Sequence, residues 1–360
     1  LPLLGHVVFA STSLLLGLAA ELAHVLASLP GGILYISAMR WPAVVLYYFA
    51  LGTLLLTEAQ REWLRTRLVP WRRPAFALFL ALAAAVAVYR AVTPERLAVH
   101  FLDVGQALSV LVECDGQYML YDGGNVDDGS MVVSYLQKQG VEELQYVFCS
   151  HAHEDHVGGL AAALAFFPAN HVYSPVTEAS TKCFRDFVKY TQQQGLSVEV
   201  PAAGTVWQLG SATITQLGPV AQYSDTNDTS LVLRLDYGST SFLLTGDMEA
   251  DAERDLVNSG ANLKADVLQV GHHGSSTSTG YLFLNAVLPE MGVISCGTGN
   301  KYGHPHEKTL SILRDAKVDV YRTDLQGTIT IGSDGQNFTV GTEHFVPDSQ
   351  LNPTDPSSSS

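Results

Sequence analysis

The stretch His151-Ala152-His153-Glu154-Asp155-His156 follows directly on Val147-Phe148-Cys149-Ser150 and runs into Val157-Gly158-Gly159-Leu160. The apolar run reads as a buried strand and the glycine pair as the opening of a helix. Three imidazoles and two carboxylates, Glu154 and Asp155, therefore share one loop at a strand end. Imidazole nitrogens and carboxylate oxygens are the usual donors to zinc and comparable divalent ions. Glycines just beyond them allow close backbone packing where side chains must converge. The competing reading is a solvated histidine-rich loop.

Outward from this loop, three further strand ends carry polar residues. Phe242-Leu243-Leu244-Thr245 ends at Gly246-Asp247. Asp247 alone would read as a helix N-cap; beside the histidine loop it becomes the best candidate to bridge two metals. Val270-Gly271-His272-His273-Gly274-Ser275 offers another imidazole, and one of His272 and His273 is expected to be a ligand. Asp122-Gly123-Gly124 reads either as an ordinary turn or as a carboxylate that hydrogen-bonds the ligating histidines. Glu249 reads as the start of a helix in preference to a support for Asp247.

Strands are expected over 97–104, 108–114, 118–122, 144–150, 230–236, 241–245, 267–270 and 292–295. Helices are expected over 131–139, 281–287 and 307–313. The turn Tyr237-Gly238-Ser239 joins two of the strands as a hairpin. Paired strands followed by alternating strands and helices predict an α/β fold with two sheets sandwiched between helices. Cys114, Cys149, Cys183 and Cys296 form no C-x-x-C pair, which argues against a zinc ribbon or redox motif.

Hydrophobic residues make up 47% of the 360 and charged residues 15%, and the imbalance concentrates in residues 1–93. Spans are expected at 41–56 and 74–92. Residues 1–29 are apolar too, but His6, Glu21 and His24 make them a span facing other helices or an interfacial helix. Several apolar segments without a charged start exclude a signal peptide, and the apolar beginning suggests a piece of a longer chain. Arg61, Arg65, Arg67, Arg72 and Arg73 lie between the two spans, opposed by Glu58 and Glu62. The positive-inside rule makes this loop cytoplasmic and sends the chain beyond Thr93 to the outer face. The expected organisation is membrane-embedded helices over 1–93, a hydrolase domain over 94–346 and a disordered tail over 347–360. Net charge is -15, with 20 Lys+Arg against 35 Asp+Glu, which weakens the case for a broad basic nucleic-acid groove.

Residues 97–331 resemble a metallo-β-lactamase αββα domain, and more narrowly the C-terminal domain of the ComEC family of competence DNA-uptake proteins. The resemblance rests on His100-Phe101-Leu102-Asp103-Val104-Gly105-Gln106, the loop His151 to His156, Ser230-Leu231-Val232-Leu233, Leu243-Leu244-Thr245-Gly246-Asp247, His272-His273-Gly274-Ser275 and Asn300-Lys301-Tyr302-Gly303-His304-Pro305. The apolar segment before it resembles the end of that family's channel domain.

The resemblance implies two divalent ions, zinc or manganese. One would be held by His151, His153 and Asp247, the other by Asp155, His156, Asp247 and one of His272 and His273. Many relatives supply a further histidine before Ser230; here Ser224-Asp225-Thr226-Asn227-Asp228-Thr229 has none, leaving Asp228 as a substitute or the first position open. The family usually follows Asp-Val-Gly-Gln with Gly-Asp, whereas this chain has Ala107-Leu108, a departure that would weaken activity if that carboxylate contributes.

Asp155 and His304 are the candidate catalytic residues, His304 near the substrate phosphate or leaving group, though it also reads as a turn histidine before Pro305. The implied function is a metal-dependent nuclease that degrades or trims DNA entering a multi-pass membrane channel, with DNA, the membrane, the rest of the channel and other competence proteins as partners. The alternatives are a DNA-binding transport module with weak hydrolysis and a small-molecule phosphodiesterase.

Overall fold

The computed structural model describes residues 56–68 and 97–353, with a few isolated positions between them. The chain divides into two compact units, Leu1–Trp71 and Arg72–Ser360. In the first, helix α1 (Glu58–Leu68) covers part of the arginine-rich loop. Thr57 and Gln60 cap it reciprocally: Thr57 N donates to Gln60 Oε1 at 2.9 Å, and Gln60 N to Thr57 Oγ1 at 3.4 Å. Among the described residues no helix is long and apolar enough to cross a membrane. The spans expected at 41–56 and 74–92 lie almost entirely outside those residues.

The second unit contains two sheets. The eight-stranded sheet runs β15 (Phe338–Thr342), β14 (Ile329–Ser333), β1 (Leu97–Phe101), β2 (Val110–Cys114), β3 (Gln117–Tyr121), β4 (Leu144–Phe148), β5 (Ala169–Tyr173), β6 (Val198–Glu199). The seven-stranded sheet runs β13 (Asp319–Arg322), β12 (Met291–Ile294), β11 (Val267–Gln269), β10 (Thr240–Leu244), β9 (Val232–Tyr237), β8 (Ala212–Gly218), β7 (Val206–Leu209). Inner faces of both sheets meet in one apolar cluster that includes Phe101, Val112, Phe148, Leu233, Phe242 and Val293.

Each outer face is covered by helices. Leu111, Leu120 and Val147 pack under α2 (Gly129–Gln139), α4 (Leu160–Phe166) and α5 (Lys182–Gln193). Leu243, Leu268 and Ile294 pack under α6 (Ala250–Asn258), α7 (Tyr281–Val287) and α8 (Glu307–Asp315). The architecture is the expected αββα sandwich. Strands such as β4 and β10, buried on both faces, read as continuous apolar runs because of this double cover.

Several strands are shorter than expected, and others keep their length with a shift of one residue: β1 stops at Phe101 because residues 102–109 turn back on themselves, Leu102 N donating to Ser109 O at 3.0 Å. The expected disordered tail is ordered through Pro353. Residues Asp348–Leu351 form a helical turn, Leu351 is 3% exposed, and Arg314 Nη1 donates to Asn352 Oδ1 at 2.6 Å. One buried leucine and an arginine partner supply what a Pro- and Ser-rich composition hides.

Parallel pairing fixes the site's position. In the first sheet β3 and β4 run parallel; in the second, β10, β11 and β12 do. Their carboxyl ends lie on one edge of the sandwich, where such sheets place their ligands. The short helix α3 (Glu154–Val157) then turns at two glycines. A Cβ on Gly158 would stand 2.4 Å from Val126 N, and one on Gly159 2.0 Å from Gly123 O.

Gly159→Ala is therefore expected to cost about 3 kcal/mol through overpacking, read as a lower urea midpoint with an unchanged slope. A variant as stable as the parent would show that this backbone approach is dispensable.

Candidate metal centre

Four strand ends bring the polar residues together. Leaving β4, Ser150 N donates to Asp122 Oδ1 at 2.6 Å, so the carboxylate after β3 anchors the start of the histidine loop. The same carboxylate accepts from His156 Nδ1 at 2.7 Å, which turns His156 Nε2 towards Asp247 Oδ2, 3.2 Å away. Asp122, His151 and His156 are fully buried, whereas His153 is exposed. His151 Nε2 lies 3.0 Å from His153 Nδ1, and the His151 and His156 rings are 4.2 Å apart.

Asp247 enters from the second sheet on a turn held by a buried glutamine. Gln269 Oε1 accepts from Thr245 N at 2.7 Å and Gly246 N at 2.8 Å, while its Nε2 donates to Gly246 O at 3.0 Å. Ser230 Oγ accepts from Asp247 N at 3.1 Å. Next along the edge, His273 Nδ1 donates to Ser295 O at 2.8 Å and points Nε2 inward, 3.5 Å from Asp155 Oδ2 and 3.6 Å from Asp247 Oδ2.

Asp155, His156, Asp247 and His273 each offer a donor atom, and all four atoms lie within 4.8 Å of one another. Asp247 Oδ1, His156 Nε2 and His273 Nε2 are buried without a hydrogen-bond partner. Buried polar atoms normally have partners, so three convergent orphans fit a divalent cation, held by a carboxylate and imidazole donor set. The charges agree. Burial would raise the Asp247 carboxyl, but His156 and His273 outweigh it and hold the group well below the usual range. Burial would likewise lower His156, but Asp247 and Asp122 raise it. Positive charge beside Asp247 is what the pocket favours.

Of the remaining candidates, His151 and His153 stand beside this group, and His273 is the member of the His272/His273 pair that joins it. His272 instead sets Nδ1 2.8 Å from Glu249 Oε1, leaving Nε2 3.8 Å from Asp247 Oδ2. Asp228 does not substitute for the missing histidine: its Oδ1 accepts from Glu249 N at 3.0 Å, at the amino end of α6. A carboxylate there caps exposed helix donors. Ala107 and Leu108 are fully buried, and Leu108 contributes through its backbone, with N donating to Asp155 O at 3.1 Å.

Glu249, read from sequence as a helix start, also accepts from Thr277 Oγ1 and Asn227 Nδ2, so it orients His272 as well. Gln106 had no assigned role. Its Oε1 accepts from Gly297 N at 3.1 Å, which leaves its amide nitrogen to donate to His304 Nδ1 at 3.1 Å. His304 thus carries its proton on Nε2. Burial, then His273, His306 and His272, lower its pKa to about 4, keeping the ring neutral at pH 7. Its centroid is 5.6 Å from that of His272 and 6.4 Å from that of His273. The signals for Gln106 and Gln269 were weak ones, amides placed at or in apolar strands.

This edge-sited cluster on an αββα sandwich defines a class. The chain belongs to the metallo-beta-lactamase superfamily, whose profile matches residues 102–298. Among its curated relatives are ComEC-family proteins, some named for competence or recombination. It is 31% identical to ComE operon protein 3 of Bacillus subtilis (strain 168) over 250 residues, 64% of this chain and 32% of that one. It is 35% identical to competence protein ComA of Neisseria gonorrhoeae over 245 residues, 67% of this chain and 33% of that one. Against recombination protein 2 of Haemophilus influenzae it is 30% identical over 303 residues, 82% of this chain and 35% of that one. The chain thus spans about a third of the length of these relatives.

Two outcomes are expected. Asp122→Asn, which weakens the anchor of Ser150 and His156, should lower zinc affinity about 10- to 100-fold in competition with a chelating dye; unchanged affinity would remove Asp122 from the site. Glu253, buried in α6, accepts from Thr279 N and from Gly280 N, at the start of α7. Burial, reinforced by Asp228 and Glu249, raises its pKa from 4.5 to about 7. The folded state therefore binds this proton more tightly, and the resulting stability is full below about pH 4.5 and is lost as pH rises through 7. Between pH 5 and 8 the parent should lose up to about 3 kcal/mol relative to Glu253→Gln, and parallel stability–pH curves would exclude this.

Proposed function

We propose that this chain is a metal-dependent phosphodiester hydrolase that acts on DNA, the hydrolytic part of a membrane DNA-uptake system. The observation that carries the reading is the convergence of Asp155, His156, Asp247 and His273, with three buried donor atoms lacking partners. Asp155, His156, Asp247 and His273 would hold one divalent ion, zinc or manganese. His151, His153 and Asp247 would hold a second. Bound divalent ions supply an activated water and neutralise charge that develops on phosphoryl oxygens.

The chain's own groups do the positioning. Asp122 and Ser295 O fix the rings of His156 and His273 through their Nδ1 protons. His304 presents a neutral Nε2–H towards the cluster's edge, where it can donate to a phosphate oxygen or to the leaving oxygen. Glu249 holds His272 beside it. A nonbridging phosphate oxygen between these two rings would be fixed without a dedicated cation. In the setting we propose, residues 1–93 belong to a multi-pass membrane segment, and the hydrolase domain faces outward. The rest of the channel and other competence proteins are the partners. The relatives named for competence support DNA as the substrate.

The test is DNA hydrolysis by the whole chain with manganese or zinc added. Cleavage should be lost by about 100-fold or more in Asp247→Asn and in His153→Ala, with folding checked by circular dichroism. DNA binding with bound metal but no cleavage would point to a transport module. Hydrolysis confined to small phosphodiesters would replace DNA as the substrate.

A further inference from the structure

We propose that Lys301 and Tyr302 form a subsite for the nucleotide adjoining the scissile phosphate of a single strand, with the base on the Tyr302 ring and the phosphate on the Lys301 ammonium. This rests on the hydrolase reading above and adds the form of the substrate.

The loop between β12 and α8 is built to present these two residues. Asn300 Oδ1 accepts from Tyr302 N at 3.1 Å and His304 N at 3.0 Å, while its Nδ2 donates to Gly297 O and His304 O. His306 Nδ1 accepts from Ser276 N, so its Nε2 carries a proton and donates to Tyr302 O at 3.1 Å. Five of these hydrogen bonds fix the backbone of a short loop, and the sixth fixes the His306 ring that supports it. Tyr302 is 54% exposed, and Lys301 is exposed too. A large aromatic whose backbone is held in place keeps more than half of its surface in solvent, where a ligand can meet it.

The ring orientation gives that position a use. His273, within the metal cluster, is stacked against His304 at 6.4 Å with 26° between ring planes, and His304 against Tyr302 at 5.6 Å with 23°. Three nearly parallel rings therefore lead from the cluster to the surface. A base laid on Tyr302 continues the series, two ring steps from His273. Aromatic platforms bind bases of any sequence because every base has a π face, but the base must be free of its partner strand.

Lys301 supplies the complementary charge. Its Nζ lies 5.0 Å from the centroid of the Tyr302 ring, and among the described residues it forms no ion pair. In a chain of net charge -15, a lysine without an acidic partner at the edge of a phosphodiesterase site is a phosphate contact. The ammonium rests on the ring by an exposed cation–π contact, weaker than base stacking, so an incoming base displaces it towards the backbone phosphate.

The test uses the whole chain, metal-loaded, with a labelled oligodeoxynucleotide, its duplex, the RNA of the same sequence and a strand with one abasic position. Phosphorothioate linkages slow hydrolysis while anisotropy reads binding, and KM and kcat are measured on the unmodified strands. The single strand should bind more tightly than the duplex. Tyr302→Ala should weaken binding of the intact single strand about tenfold, with KM raised and kcat nearly constant, and Tyr302→Phe should restore it.

The abasic position should cost the parent as much as Tyr302→Ala, and the two losses should not add. Lys301→Gln should reduce the slope of log affinity against log salt by about 0.7. Equal use of RNA is expected of a base-and-phosphate subsite; RNA exclusion with the Tyr302 effect absent would overturn it. If single strands are cleaved while Tyr302→Ala and the abasic strand change nothing, or if duplex is preferred, the subsite is refuted and the hydrolase reading survives. If no nucleic acid is bound or cleaved, both fall.

Discussion

A single carboxylate joins the two halves of the sandwich. Asp247 leaves the second sheet, is 2% exposed, and places Oδ2 3.2 Å from His156 Nε2, which comes from the first. Burying an ionised carboxylate costs several kcal/mol unless positive charge and hydrogen bonds compensate. Every neighbouring feature serves that compensation. Gln269 and Ser230 fix the turn, Asp122 aims His156, and Ser295 O aims His273. The geometry that makes Asp247 tolerable also makes a cation welcome.

The surrounding apolar core gives this cluster its rigidity. Strands β4 and β10 are buried on both faces, so their ends cannot shift without moving both helical layers. The glycine pair Gly158-Gly159 packs backbone against backbone on the segment after β3, which holds the histidine loop from its far side. Rigid strands and a pinned loop are what a metal site needs if its donors are to stay convergent before a cation arrives. The loop between β12 and α8 repeats the device on the outer rim, where Asn300 organises the backbone that carries His304.

Much of this site was legible as residue types at strand ends. The histidine loop, Asp247 and the His272-His273 pair each follow an apolar run, and all lie along one edge of the sandwich. What local sequence could not weigh was the competition for each carboxylate. Asp228, a plausible ligand by position, turns to the amino end of α6, while Glu249 begins that helix as read and also sets its side chain beside His272. Both acids, twenty-one positions apart, meet at the start of α6, where Asp228 accepts from the Glu249 backbone and the Glu249 side chain accepts from Asn227.

Sequence by itself determined the alternation of apolar runs and turns, hence the αββα class, and the chemical identity of the donor set, because periodicity and residue type are local properties. Only the tertiary structure chose His273 over His272, ordered the segment up to Pro353 through Leu351, and gave Gln106 its hold on His304. Those outcomes depend on which atoms meet across 191 residues of chain, as between Gln106 and Gly297, and such meetings are settled by the packing of two sheets, which no stretch of the sequence contains.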